Sequence, residues 1–349
     1  MLALTHSLVM AQPQGAEKEL FTYRIQPNDT LIKLAKDYTL DAGNWQVLQE
    51  LNHIEDPYKL PIGKVISIPF SLIPVRASTG VLVHRQGQVL INGVTAATED
   101  TVQSGDTLST GANSYATIEL EDESSISIPA QSSLLFKQIN QFVGVPLSDV
   151  IFELNDGALE TQAAPDGRGV GRYEVHTPVS ITGVRGTKIR VSSSRTQSRT
   201  ELVQGQAHIE AEAIQPRMLH ARQGAALDEQ GRLLVVDLPA APQIRTAQAV
   251  SGGLQVALEP DAQARYYHVQ IASDPKGQHI IDHQQFDESE FSLSAIQAGT
   301  HYAFIRAVDE QGFMGLDTMI DFPGRRVLRS GNGQPVRTAF GLVVFSGAF

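Results

Sequence analysis

The chain has 349 residues, 42% hydrophobic and 19% charged, with a net charge of −11 at pH 7 and no cysteine. Such a length exceeds one compact core and calls for about two to four domains. The acidic balance argues against nucleic acid and anionic lipid, which need clustered Lys and Arg, and the missing cysteine excludes disulfides, thiolate metal sites and a cysteine nucleophile.

Residues 1–16 open with a mildly apolar run, Leu2 to Ala11, ending in Val9-Met10-Ala11 before the polar spacer Gln12-Pro13-Gln14-Gly15. This reads as the end of a secretory signal peptide that lacks its basic start; an ordinary tail is the alternative. No other run approaches the roughly 18 apolar residues that span a bilayer, so no transmembrane segment is expected.

Residues 17–72 switch period twice. Phe21 to Gln26 is aromatic and alternating, which predicts a strand. Asp29 or Asn28 is placed to cap a helix carrying Leu31, Leu34, Ala35 and Tyr38 at helical spacing. After Asp41-Ala42-Gly43-Asn44, the residues Trp45, Leu48 and Leu51, with Val47 beside them, predict a second helix. Val65, Ile66 and Ile68 close the unit as a strand ended by Pro69, giving a small α+β module of order βααβ.

Tyr23-Arg24-Ile25-Gln26-Pro27-Asn28-Asp29-Thr30-Leu31, Leu51-Asn52-His53-Ile54 and Leu60 to Pro69 together resemble the LysM family. The resemblance implies carbohydrate binding, specifically the N-acetylglucosamine-containing glycan of peptidoglycan, in a shallow groove. Carried over by motif position, one lip is Asn28, Asp29, Thr30 and Leu31, and the other is Asn52, His53 and Ile54. The family usually has Gly where Asn28 stands, and Asn tolerates the same left-handed backbone. The stretch Glu55 to Lys59 is longer than in minimal modules. Asp29 reads equally as a helix cap, Leu31 and Ile54 as core edge, Trp45 as core and His53 as plain exposed loop.

Residues 79–236 show short alternating strands between glycine turns and no useful helical period, which predicts an all-β region. Val102 to Gly111, Ala116 to Leu120, Leu154-Asn155-Asp156-Gly157-Ala158-Leu159-Glu160, His176-Thr177-Pro178, Ile181-Thr182-Gly183-Val184-Arg185-Gly186-Thr187 and Val203 to Ile209 follow the order of the FecR domain, which they resemble. An elongated, solenoid-like stack of strands is expected from the turn glycines. The resemblance implies a platform for a protein partner in the envelope. Arg185, beside Gly186, reads as a structural arginine that satisfies carbonyl groups.

Leu238-Pro239-Ala240-Ala241-Pro242 has linker composition. Residues 240–323 alternate cleanly at Leu254 to Leu258, Tyr266 to Ala272 and Tyr302 to Asp309, and resemble a fibronectin type III-like β-sandwich. Residues 324–349 form a tail, expected either to be partly disordered or to add a strand to a partner.

Catalytic signatures are missing: there is no His-Glu-x-x-His helix and no Gly-x-Ser-x-Gly elbow. His279 and His283 lie four apart in strand-like sequence without a third ligand, and Glu119, Glu121, Asp122 and Glu123 read as a strand end and acidic turn. The expectation is a mainly β multidomain protein with no enzyme activity, cofactor or metal. It would be a periplasmic or cell-envelope protein of a Gram-negative bacterium, tethering a β platform to peptidoglycan. A periplasmic sensor or signalling adaptor of the FecR type is the alternative.

Overall fold

The N-terminal module follows from its two periodicities. In the computed structural model, residues 15–17, 20–143, 147–163, 171–212, 214–250, 253–295, 299–324, 326–327, 330, 336 and 345–346 are described. Strands Leu20–Arg24 and Val65–Pro69 pair antiparallel, with Tyr23 opposite Ile66. Helix α1 (Leu31–Thr39) and helix α2 (Trp45–Leu51) supply Leu31, Leu34, Ala35 and Leu48 to one core with Phe21, Tyr23, Ile66 and Ile68.

The cap of α1 is Thr30, whose hydroxyl accepts the Lys33 amide at 3.2 Å; neither Asn28 nor Asp29 takes that role. Leu40 ends the helix in the left-handed region at φ 58°. In α2 only Leu48 is buried, and Trp45 packs half-buried on the core. Val47 and Leu51, expected on the apolar stripe, are exposed because this short helix touches the core through a single turn. Gly15–Glu17, partly within the expected tail, adds a third strand by pairing with Leu20–Arg24. The apolar run from Leu2 to Ala11 lies outside the described residues.

From Val75 to Asp237 sixteen strands among the described residues form one sheet system. Its pairings are antiparallel except that of Ser148–Gln162 with Arg172–His176. Gly157, Gly183 and Gly205, expected at turns, lie inside strands, and neighbouring strands run antiparallel, unlike the stacked rungs expected. Long strands Ser148–Gln162, Ile181–Ser193 and Gln197–Ala211 form the spine. Their inward faces close on Phe136, Phe152 and Tyr173, which meet edge to face at centroid distances of 5.6 and 5.3 Å. Gly157 has φ 98° inside strand Ser148–Gln162, where pairing passes from Ser133–Phe142 to Ile181–Ser193, and a Cβ there would stand 2.4 Å from the Ser132 Cα.

Strand Val75–Ala77 pairs with the end of Ser133–Phe142, so the segment after the N-terminal module is part of the middle sheet. Phe70 stacks on Phe142 with centroids 4.6 Å apart, and Phe142 and Leu147 join the core of the N-terminal module. The acidic turn is structural: Glu121 pairs with Arg76 at 2.7 Å, and Asp122 accepts from Ser124 N and Ser148 Oγ.

The C-terminal region is a sandwich of two antiparallel sheets. One is ordered Ile244–Val250, Gly253–Leu258, Glu290–Leu293; the other Ile280–Phe286, Tyr266–Ala272, Thr300–Val308, Thr318–Pro323. Leu254, Val256 and Leu293 of the first face Val269, Ile271 and Ile305 of the second. In the tail, Arg326–Val327 pairs with Phe345–Ser346.

This sandwich is seated on the middle domain. Glu160, Arg190 and Glu201 lie opposite one another on three neighbouring strands, a row of alternating charge. Arg306 of the sandwich donates to Glu160 at 3.0 Å, and Asp317 receives Arg190 at 3.2 Å and Lys188 at 3.5 Å. Arg190 also donates to the Gly315 carbonyl at 2.8 Å, and Glu201 accepts the Met314 amide at 2.7 Å. Phe313 is fully buried against Ala226 and Leu238, with Arg199 over its ring at 5.1 Å. The stretch read as a linker is pinned here as well: Leu238 N donates to Arg222 O at 2.7 Å and Leu316 N to Pro239 O at 3.0 Å. Among the described residues no helix is long and apolar enough to cross a membrane.

Candidate functional site

The two predicted lips are joined. The Leu31 amide donates to the Pro57 carbonyl at 3.2 Å, which ties the loop before α1 to the loop after α2. Each lip contains a residue with left-handed backbone, Asn28 at φ 71° and His53 at φ 49°. Both side chains are exposed.

The other predicted side chains divide by what they already hold. Asp29 is turned inward, where one carboxylate oxygen accepts the Gln26 amide at 2.7 Å and the Tyr23 hydroxyl at 2.9 Å. Burial, reinforced by that bond, holds the Tyr23 phenol above its ordinary pKa; burial raises Tyr38, beside it, to about 12. Thr30 is committed to the helix cap. Asn52 clamps the closing strand, accepting from Ser67 N at 2.6 Å and donating to Ser67 O at 2.8 Å and Leu48 O at 2.9 Å. Leu31 and Ile54 are core residues, 0% and 6% exposed, and present no side chain to a ligand. The structural reading of these positions explains their residue types without a sugar.

What faces solvent on the joined loops is a different set. Tyr58 and Ile62, after α2, are each 69% exposed; Pro27 and Asn28, before α1, and His53 are exposed as well. Tyr58 stands on a turn set by Asp56, which accepts the Tyr58 amide at 2.9 Å. Reading by motif missed Tyr58 and Ile62; the signal was an aromatic and a branched aliphatic in a Pro-bounded loop, outside any apolar period. Residues 23–69 carry Arg24, Lys33, Lys36, Lys59 and Lys64 against Asp29, Asp37, Asp41, Glu50, Glu55 and Asp56. The module is thus close to neutral in an acidic chain.

Elsewhere the sequence candidates have structural partners. His279 stacks on His84 at 5.1 Å, and His283 is hydrogen-bonded to Tyr115, so the two histidines serve different contacts. The Arg185 side chain lies outside those described; its neighbours Val184 and Thr187 are buried.

Family models match two stretches of the chain. A LysM domain family model matches residues 23–69, and a FecR protein family model matches residues 106–208. No curated protein matches the chain. Two crystal structures of a candidate anti-sigma factor from Parabacteroides distasonis ATCC 8503 are similar over 38% of this chain, at 12% and 11% identity and TM-scores of 0.32 and 0.31. The chain spans 59% of their length, a likeness too remote to bear on fold or function.

Proposed function

We propose that this protein is a non-enzymatic component of the bacterial cell envelope that holds the N-acetylglucosamine-containing glycan of peptidoglycan and presents its middle domain to a protein partner. The observation that carries the reading is the LysM match on residues 23–69 together with the tied loops that leave Tyr58, Ile62, Asn28 and His53 outward. A sugar ring with its N-acetyl methyl packs on such apolar surface, while nearby amides bond the acetamide. One small site binds weakly, so retention at the wall is helped by several contacts along one polymer. The C-terminal sandwich we read as a fibronectin type III-like spacer, supported by its three-plus-four strand arrangement.

The test is co-sedimentation of the full chain with purified insoluble peptidoglycan, competed with soluble N-acetylglucosamine oligomers. Pelleting that the oligomers reverse supports the reading; recovery of the whole protein in the supernatant sinks it. The FecR match on residues 106–208 favours a second reading, a signalling adaptor whose middle domain receives a partner. Crosslinking in cells separates the two: an adaptor captures a membrane receptor, a tether captures wall fragments.

A further inference from the structure

We propose that the junction between the middle domain and the C-terminal sandwich is an acid-released latch worked by His84 and His268. His84 lies on strand Gly80–Gln86 of the middle domain. Its Nε2–H donates to the Ile280 carbonyl of the sandwich at 2.7 Å, and its ring stacks on His279. His268 lies on strand Tyr266–Ala272 of the sandwich, with its ring 6.0 Å from that of His283. The Nδ1 of His268 is buried without a hydrogen-bond partner. Both histidines thus sit at the seam, and His268 lines a crevice of about 350 Å³ there with His283, Glu160, Arg190, Glu201 and Arg306.

The charges around each ring decide the sign. His84 faces Asp274 and His279 from the sandwich, while its partner on the adjacent strand is the uncharged Thr117. His268 faces His283 and Arg306 on the strands either side of it, and Arg190 and Glu160 across the seam. Asp274 and Glu160 favour the charged imidazoles. Burial and the neighbouring cations outweigh them, so both histidines are held below their ordinary value, His268 at about 3.

With the domains apart, the rings regain water and move back towards the ordinary value of about 6.5. A group depressed in the closed form contributes closure fully above that value and loses it as pH falls towards the closed-form value. Each histidine then shifts the balance towards the open form by up to about tenfold per pH unit, and the two together by about a hundredfold. Opening uncovers the Glu160, Arg190 and Glu201 row, so that charged face is offered to a partner only in acid.

The chain has no cysteine, so Ala97→Cys and Lys276→Cys, both at exposed positions, place a dye pair across the seam. Transfer efficiency is followed in the full chain from neutral to acid pH, with far-UV circular dichroism alongside. The expected result is a fall of about half with a midpoint between about pH 5 and about pH 6, the dichroism unchanged. His84→Gln with His268→Gln, which keeps polar groups but cannot charge, moves that midpoint down by about one unit or more. A flat profile, a fall that coincides with loss of dichroism, or an unshifted midpoint in the double variant overturns the proposal. Should the double variant lack the native spectrum at neutral pH, H84Q alone is read, and an unshifted midpoint there overturns it equally.

Discussion

The Tyr23 hydroxyl donates to Asp29 at 2.9 Å, and the same carboxylate oxygen takes the Gln26 amide at 2.7 Å. A residue that motif position assigns to the glycan is therefore engaged in holding its own lip. Asp29→Ala leaves a phenol and a backbone amide without their acceptor, at a cost of about 1 to 3 kcal/mol. The urea midpoint of the N-terminal module falls accordingly, and wall binding falls only as far as the folded fraction does.

Tyr58 is expected to behave in the opposite way. It supports nothing in the fold, so Tyr58→Ala changes stability by less than about 0.5 kcal/mol. Loss of the aromatic platform weakens sedimentation with peptidoglycan by about three- to tenfold. Unchanged binding with unchanged stability would remove Tyr58 from the site.

Asn28 reports on backbone, at φ 71°. Asn28→Gly keeps that conformation and leaves the melting temperature nearly unchanged, whereas Asn28→Val carries a left-handed penalty of about 1 to 2 kcal/mol. Thermal melts of the two variants side by side check the ordering.

Glu160 sets the acid limb of stability. Burial alone raises its pKa, but Arg306, Lys188 and Arg190 overcome this and hold it well below the ordinary carboxylate range. Its contribution is complete above the unfolded value and is lost as pH falls towards the folded one. Glu201, raised by burial against the pull of Arg190, has the reverse sign and fades as pH climbs. Glu160→Gln leaves Arg306 and Arg190 short of a counter-charge at the seam, costing about 3 to 5 kcal/mol at neutral pH. Denaturation at stepped pH shows the acid slope flattening in the variant.

Phe313 is the apolar peg of the same junction, fully buried although it stands in a surface turn. Phe313→Ala costs about 3 to 5 kcal/mol and splits one unfolding transition into two, seen by calorimetry. Gly224→Ala acts from the other side, since its Cβ would meet the Phe313 ring at 2.6 Å.

The sequence made strands and helices legible where an apolar period was sustained: Leu31, Leu34 and Ala35 in α1, and the alternating runs of the middle and C-terminal regions. It misplaced the cap by one residue, because Asn28, Asp29 and Thr30 are all competent caps and only the turn geometry chooses. Val47 and Leu51 misled because a two-turn helix can bury a single position. The site was half legible. Motif order located both lips, but which side chains point out depends on the inward bonds of Asp29 and Asn52, and those involve residues 6 and 15 positions away. The seam was illegible for a related reason: Glu160 and Arg306, 146 residues apart, become partners only when two separately patterned sheets meet.

Phe70 against Phe142 has a consequence for geometry on the wall. Because that stack and the shared core weld the N-terminal module to the body behind it, the module does not swivel like a bead on a string. A saccharide strand lying across Tyr58, as proposed, would then fix the compass bearing of everything downstream. Copies seated on one strand would all show the same flank, with a spacing dictated by the repeat of the polymer.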